Sequence, residues 1–282
     1  MSDTPLYGFD KRVSYVENNK KKAIKKDTFK SLLLKIIIII LLLCLLAEAV
    51  FYLFIVPAVS VAQVNFSGNR ELTAIHLEKI AGLSGKEKWS QINTLEISKR
   101  LAAFPLIEEA RVSKRFPDKV FIEVKERSPV AISFAQVKGR TIVMEIDKTG
   151  TIFRIGSSMT AGKLPVIGGL EFENPRAGMK VHRQLIPLFN KLSILKEKNP
   201  ALLSEISELV IKQKKYGGYD LLIYPMSVSI KVCTDNILNE DKLRYMMLLL
   251  DVMRKTYDEN RILELDIRGD TAVCRMREEE HE

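Results

Sequence analysis

The sequence is poor in the side chains from which catalytic and metal centres are most often assembled. Its three histidines, His76, His182 and His281, lie far apart, and no CxxC or HExxH occurs, which argues against a metal site. No nucleophile elbow is present, and no histidine sits near a second catalytic candidate, so an enzyme is not the expectation. Carboxylates are plentiful but fall on alternating strand faces, where solvation explains them. Cysteine is equally scarce. Cys44 sits in an apolar run; Cys233 and Cys274 could pair in an oxidising compartment, but without a telling spacing they read first as small buried hydrophobes. Excess charge is missing from most of the chain. Residues 1–35 hold nine Lys/Arg against four Asp/Glu, which is +5 of the total +9. The remaining +4 is spread too thinly to suggest nucleic-acid binding.

What the sequence does contain is one long hydrophobic run. Ile36–Ala58 is 23 residues, and at 1.5 Å per residue it reaches about 34 Å, enough for a hydrocarbon core of roughly 30 Å. Lys20, Lys21, Lys22, Lys25, Lys26, Lys30 and Lys35 precede it, and the next basic residue is Arg70. That asymmetry predicts a cytoplasmic N-terminus and an extracytoplasmic remainder. Small residues at Ser60-Val61-Ala62 would suit signal cleavage, but the run is too long for a signal peptide and an uncleaved anchor is expected. Glu48 interrupts the run. It is either a neutral carboxyl tolerated among apolar neighbours or a contact with a partner helix in the membrane. The basic tail reads as a topology signal with affinity for anionic lipid.

Beyond the anchor, period-two alternation over Val61–Ser67 predicts a strand, and Gly68-Asn69 a turn. Thr73 stands where an N-cap belongs before a helix whose stripe is read as Ile75, Leu77, Ile80 and Leu83, ended by Gly82 and Gly85. A second helix begins at Thr94, with Leu95, Ile97, Leu101 and Phe104 as its apolar face and Pro105 as its stop. Ile107–Phe116 and Val120–Arg127 alternate around Pro117-Asp118 and predict a hairpin. The order is β-α-α-β-β.

That order, with Val64-Asn65-Phe66-Ser67-Gly68-Asn69, Phe104-Pro105-Leu106-Ile107, Ala110-Arg111-Val112, Arg115-Phe116-Pro117 and Val124-Lys125-Glu126-Arg127-Ser128-Pro129-Val130-Ala131, resembles the membrane-proximal POTRA domain of the FtsQ/DivIB cell-division proteins. Asp147, Gly150, Phe153 and Leu164-Pro165-Val166-Ile167-Gly168 continue the resemblance. The fold class expected is α+β: a single transmembrane helix, a POTRA domain over 60–128, and a second strand-rich α+β domain over 129–276. Residues 1–35 would be the cytoplasmic tail, and 277–282 a solvated end. In the second domain, strands are expected at Ile132–Val137, Thr141–Ile146, Thr151–Ile155, Ile206–Lys212, Tyr219–Tyr224, Ser227–Cys233, Ile262–Ile267 and Thr271–Met276. Asp147 is read as the organiser of a hairpin turn rather than a metal ligand. A helix over Val181–Lys196 buries Leu185, Leu188, Phe189, Leu192 and Leu195, with a start nearer Ile186 allowed by Pro187. Another, Glu240–Tyr257, uses Leu243, Met246, Met247, Leu250 and Met253. Arg268-Gly269-Asp270 is turn chemistry rather than an adhesion motif.

The resemblance implies a non-enzymatic divisome scaffold at the septum, without cofactor, metal, nucleic-acid partner or small-molecule substrate. It would link early and late division proteins, including septal wall-synthesis proteins, and bind an FtsB/FtsL-like coiled-coil pair. The family's last strand is an exposed edge that adds to a partner strand. By position that edge maps to Arg268, Thr271, Ala272, Val273, Cys274, Arg275 and Met276, with Gly269 where some members carry an aromatic residue. The alternative is a POTRA-containing secretion or outer-membrane assembly component, though too few residues follow the domain for a barrel.

Overall fold

The structure, a computed structural model, describes residues 10–156, 164–258, 261–269 and 271–277; side chains are described from Lys30 onward. It is mixed α+β, with an N-terminal apolar helix, a β-α-α-β-β module and a strand-rich C-terminal domain. Backbone contacts divide the chain into two compact units. One is the segment up to Val64 with Gly85–Ile92 and Lys114–Val120; the other is Asn65–Ser84, Asn93–Ser113 and Phe121 onward.

In the first unit, α1 (Asp10–Val50) is continuous through the basic stretch and into the apolar run, so residues 10–35 are helical. The stretch Lys30–Val59 is long and apolar enough to cross a membrane. Near its end the hydrogen bonding widens to a π-turn, Phe51–Ile55, with Val56 N–H donating to the Phe51 carbonyl. The cause is Pro57, in the first turn of α2 (Val56–Val59), which has no N–H to offer the preceding turn. After α2, Trp89 donates its indole N–H to the Lys119 carbonyl (3.0 Å). The Lys114 ammonium lies 4.5 Å from the indole ring centre.

The elements of the β-α-α-β-β module are β1 (Gln63–Ser67), α3 (Ala74–Ala81), α4 (Thr94–Ala102), β2 (Ile107–Arg115) and β3 (Lys119–Glu126), with sheet order β1-β3-β2. Thr73 caps α3 by accepting from His76 N–H (3.3 Å). Gly82, at φ 72°, ends it, with Leu83 N–H on the Glu78 carbonyl and Gly82 N–H on that of Lys79, a Schellman closure. The Arg100 guanidinium reaches across from α4 to the Ala81 carbonyl (3.2 Å). Two apolar assignments fail. Ile75 is 79% exposed and Leu95 62%, while Leu77, Ile97 and Leu101 are buried. The reason is angular: Ile75 and Leu77, like Leu95 and Ile97, are two residues apart and project to nearly opposite sides of a helix.

The C-terminal domain is built on a nine-stranded sheet, β12-β11-β10-β9-β8-β7-β4-β5-β6. Its strands are β4 (Pro129–Val137), β5 (Arg140–Asp147), β6 (Ile152–Gly156), β7 (Val166–Gly168), β8 (Ile206–Gln213), β9 (Tyr219–Pro225), β10 (Lys231–Thr234), β11 (Ile262–Asp266) and β12 (Val273–Met276). β4–β7, β7–β8 and β10–β11 run parallel, and the other pairings are antiparallel. The registers align Cys274, Leu265, Val232, Ile223, Leu209 and Ile167 in one row across six strands. That row belongs to the core, where it joins the buried faces of α5 (Ile186–Lys198), α6 (Pro200–Ser204) and α7 (Glu240–Thr256). Pro187 falls in the first turn of α5, where its missing N–H costs nothing, so the helix starts at Ile186. All five residues expected on its buried face, Leu185, Leu188, Phe189, Leu192 and Leu195, are buried. Of the Met-rich face of α7, Met246 and Met253 are buried. β10 and β12 are shorter than expected, with Thr271 and Ala272 outside the strand, and β7 and α6 were not foreseen.

The β5–β6 turn is organised by Asp147, as its sequence suggested. One carboxylate oxygen accepts from Thr149 N–H (2.9 Å), Thr149 Oγ1 (2.7 Å) and Thr151 N–H (2.8 Å). The other is paired with Arg127, whose Nε also donates to the Pro105 carbonyl (2.9 Å).

Candidate partner-binding edge

At the β12 end of the sheet, alternation fixes what each side chain and backbone group faces. Arg277 N–H donates to the Arg261 carbonyl (2.8 Å), so residues in phase with Arg277 turn their backbone polar groups toward β11. By period two, Cys274 and Met276 turn their N–H and C=O groups away from it. Among the described residues no strand lies beyond β12, so these groups form an open edge. The Cys274 side chain packs partly against the core; Val273 (54% exposed) and Arg275 face the opposite side, and Met276 is 44% exposed.

That opposite face carries a charge ladder. Lys231, Glu264 and Arg275 stand in register on β10, β11 and β12, with Lys231–Glu264 at 3.2 Å and Arg275–Glu264 at 3.7 Å. The next row is Cys233, Asp266 and Val273. Arg268, beyond the end of β11, folds back over it. Its Nε donates to Asp266 Oδ1 (2.9 Å), its Nη2 to Oδ2 (2.5 Å), and its Nη1 reaches Asp220 on β9 (2.9 Å). Lys214 pairs with the second Asp220 oxygen (2.7 Å). The fork on Asp266 holds that carboxyl below the ordinary aspartate range. Burial pushes Asp220 upward, but Lys214 and Arg268 outweigh it and the net shift is downward. Arg268 thus fixes the chain leading into β12.

The seven expected edge residues are therefore divided. Val273–Met276 form the strand, Thr271 and Ala272 are exposed just before it, and Arg268 clamps the approach. Asp270 of the Arg-Gly-Asp turn and His281 lie outside the described residues. Glu48 is exposed on α1, with no neighbouring element against it among the described residues to decide between its two readings. Cys233 and Cys274 are free. They sit on β10 and β12, on opposite sheet faces with β11 between, about 10 Å apart by strand spacing, which excludes a disulfide. Cys233, Glu264 and Asp266 are close enough to bind a metal, but Lys231, Arg275 and Arg268 already neutralise the two carboxylates.

Sequence reasoning missed Ser193 and Lys196, which have Ser-x-x-Lys spacing on α5. Both line a cleft of about 710 Å³ with Ser128, Glu108, Lys148 and Asp147. Burial pulls the Lys196 ammonium below the usual lysine range. Its short bond, however, is a donation to the Pro129 carbonyl (2.7 Å), with Ser128 Oγ farther at 3.3 Å. Lys148 is held by Glu108 (3.0 Å). The contacts describe a strap between α5 and the start of β4, not a nucleophile and its base.

A helix fit to span a membrane, a β-α-α-β-β module and a large sheet with an open last strand define a membrane-anchored POTRA protein, with no recognisable catalytic centre among the described residues. Residues 59–127 match the family model "POTRA domain, FtsQ-type". The chain is 33% identical over 88 residues to the cell division protein DivIB of Geobacillus kaustophilus (strain HTA426), covering 29% of this chain and 34% of that protein. It is 28% identical over 148 residues to the cell division protein FtsQ of Koribacter versatilis (strain Ellin345), covering 51% and 41%. With FtsQ of Myxococcus fulvus (strain ATCC BAA-855 / HW-1) it shares 27% over 156 residues, covering 53% and 52%. The chain thus spans about a third to a half of the length of these relatives. Residues 59–127 thus match an FtsQ-type POTRA domain, in a chain that is similar over part of its length to FtsQ and DivIB cell division proteins.

Proposed function

We propose that this protein is a non-enzymatic scaffold of the division machinery that captures a partner strand on β12. The single observation that carries the reading is the open edge at Cys274 and Met276, whose outward backbone groups have no strand to pair with among the described residues. Arg268 supports it by holding the approach to that edge, and Thr271 and Ala272 extend the accessible surface. The partner is an FtsB/FtsL-like coiled-coil pair, through which early and late division proteins and septal wall-synthesis proteins are connected. The chain is read as tail 1–35, anchor 36–58, POTRA domain 60–128, second domain 129–276 and end 277–282, with the N-terminus cytoplasmic, the folded domains outside, and the protein concentrated at the septum. The lysines before the apolar run support that orientation. The POTRA match to the FtsQ-type family favours this reading over a secretion or barrel-assembly role.

Met276→Pro tests the edge. The substitution removes an outward donor and spares the β11 ladder, so the fold is expected to persist, as proline is tolerated on edges. Binding of the full-length chain to the reconstituted coiled-coil pair is expected to weaken at least about tenfold, the loss of one to two interfacial hydrogen bonds. Unchanged affinity in a folded variant would rule out strand addition at β12.

A further inference from the structure

The outward face of α7 is apolar where a helix lying on a sheet is ordinarily polar. Leu243, Met246, Leu250 and Met253 are buried, yet Tyr245, Leu248 and Val252 on the opposite side are 44%, 63% and 52% exposed. At about 100° per residue, Asp241, Tyr245, Leu248, Val252 and Lys255 fall within about 40° of one line along the helix. Their spacing alternates four and three, the spacing of a two-helix seam. An acidic residue opens this seam, a basic residue closes it, and the three apolar residues lie between.

This order complements itself in one direction only. Laid antiparallel on its own copy about a two-fold axis at Leu248, the seam brings Asp241 of each helix to Lys255 of the other. Tyr245 then packs beside Val252, and Leu248 meets Leu248. Laid parallel, it opposes Asp241 with Asp241 and Lys255 with Lys255. The helix ends agree, since the first turn carries Glu240 and Asp241 and the last Arg254 and Lys255. Lys255 now donates to Asp251 (2.8 Å), an exposed pair that a second copy can share. A second apolar helix face among the described residues, Ile186, Pro187 and Ile194 on α5, is flanked by Arg183 and Lys191 and would repel itself.

We infer that two copies of this chain associate through α7, packed antiparallel on α7 of the second copy. The contact is an isologous interface, goes beyond the strand-addition reading and does not depend on it. Three apolar residues per copy make it weak in dilute solution, and two copies anchored in one membrane make it effective by raising local concentration.

The test uses the full chain, carrying Cys44→Ala, in liposomes. Leu248→Cys, at the axis, is expected to give a reducible dimer on mild oxidation, at least about fivefold more than Arg254→Cys, which lies about 120° around the helix. Asp241→Lys and Lys255→Asp, each added to Leu248→Cys, are expected to lower the yield about fivefold through like-charge opposition. Mixing the two variants is expected to restore it, because one then carries positive charge at both ends of the seam and the other negative charge at both. Equal yields at positions 248 and 254, indifference to either charge change, or no recovery on mixing would each overturn the inference, the first meaning that a different protein or none covers this face.

Discussion

Arg127→Ala removes the only cation bonded to the Asp147 carboxylate among the described contacts. The Asp147 side chain is 2% exposed and that of Arg127 14%, so the pair is shielded from water. Breaking a buried pair by deleting one partner costs about 3–5 kcal/mol, because the remaining charge stays buried. Here Asp147 keeps three hydrogen bonds from Thr149 and Thr151, which pulls the cost toward the lower end. Loss of the Arg127 Nε bond to the Pro105 carbonyl adds about 1 kcal/mol. The expected total is therefore about 3–4 kcal/mol. Urea unfolding of the full chain in detergent, followed by far-ultraviolet circular dichroism, measures it. At about 2–3 kcal/mol per molar urea, the midpoint falls by more than about 1 M. Asp147→Ala and the double variant complete a cycle, with an expected coupling of at least about 1.5 kcal/mol. A loss under about 1 kcal/mol, or strict additivity, would show that the pair contributes little and that the hairpin stands on its own hydrogen bonds.

Gly150→Ala combines a positive φ of 72° with a Cβ only 2.5 Å from Val181 Cγ2, so it is expected to cost about 2–4 kcal/mol, read by the same unfolding curve. Asp220 and Asp266 both titrate below the ordinary aspartate range, so their stabilisation is complete above about pH 4 and is lost as pH falls through their lower folded values. Hydrogen exchange over Val273–Met276 is expected to quicken below about pH 4 beyond the intrinsic rate change, and Arg268→Gln to flatten that response. Exchange that tracks only the intrinsic rate would detach β12 from the Arg268 clamp. A C-terminal reporter enzyme active only outside the cytoplasm is expected to score positive, and a negative score would reverse the orientation assigned to the anchor.

The sequence by itself determined several elements that depend on neighbours along the chain. The membrane-length helix follows from a long apolar run, the ends of α3 from Thr73 and Gly82, the start of α5 from Pro187, and the β5–β6 turn from Asp147 and Gly150, because these are local sequence patterns, hydrogen bonds and backbone conformations. Helix faces were legible only where the spacing was respected; Ile75 and Leu95 were placed two residues from their buried partners, on the wrong side. Tertiary structure decided what depends on register and strand order. Only the nine-strand order puts β12 at an edge, sets Cys233 and Cys274 on opposite faces, and brings Asp220 on β9 under Arg268, 48 residues away in sequence. It also decides which side of α7 the sheet covers, leaving Tyr245, Leu248 and Val252 to solvent. A period of 3.6 shows that two apolar stripes exist, but only the packing of the remaining chain selects which one becomes core.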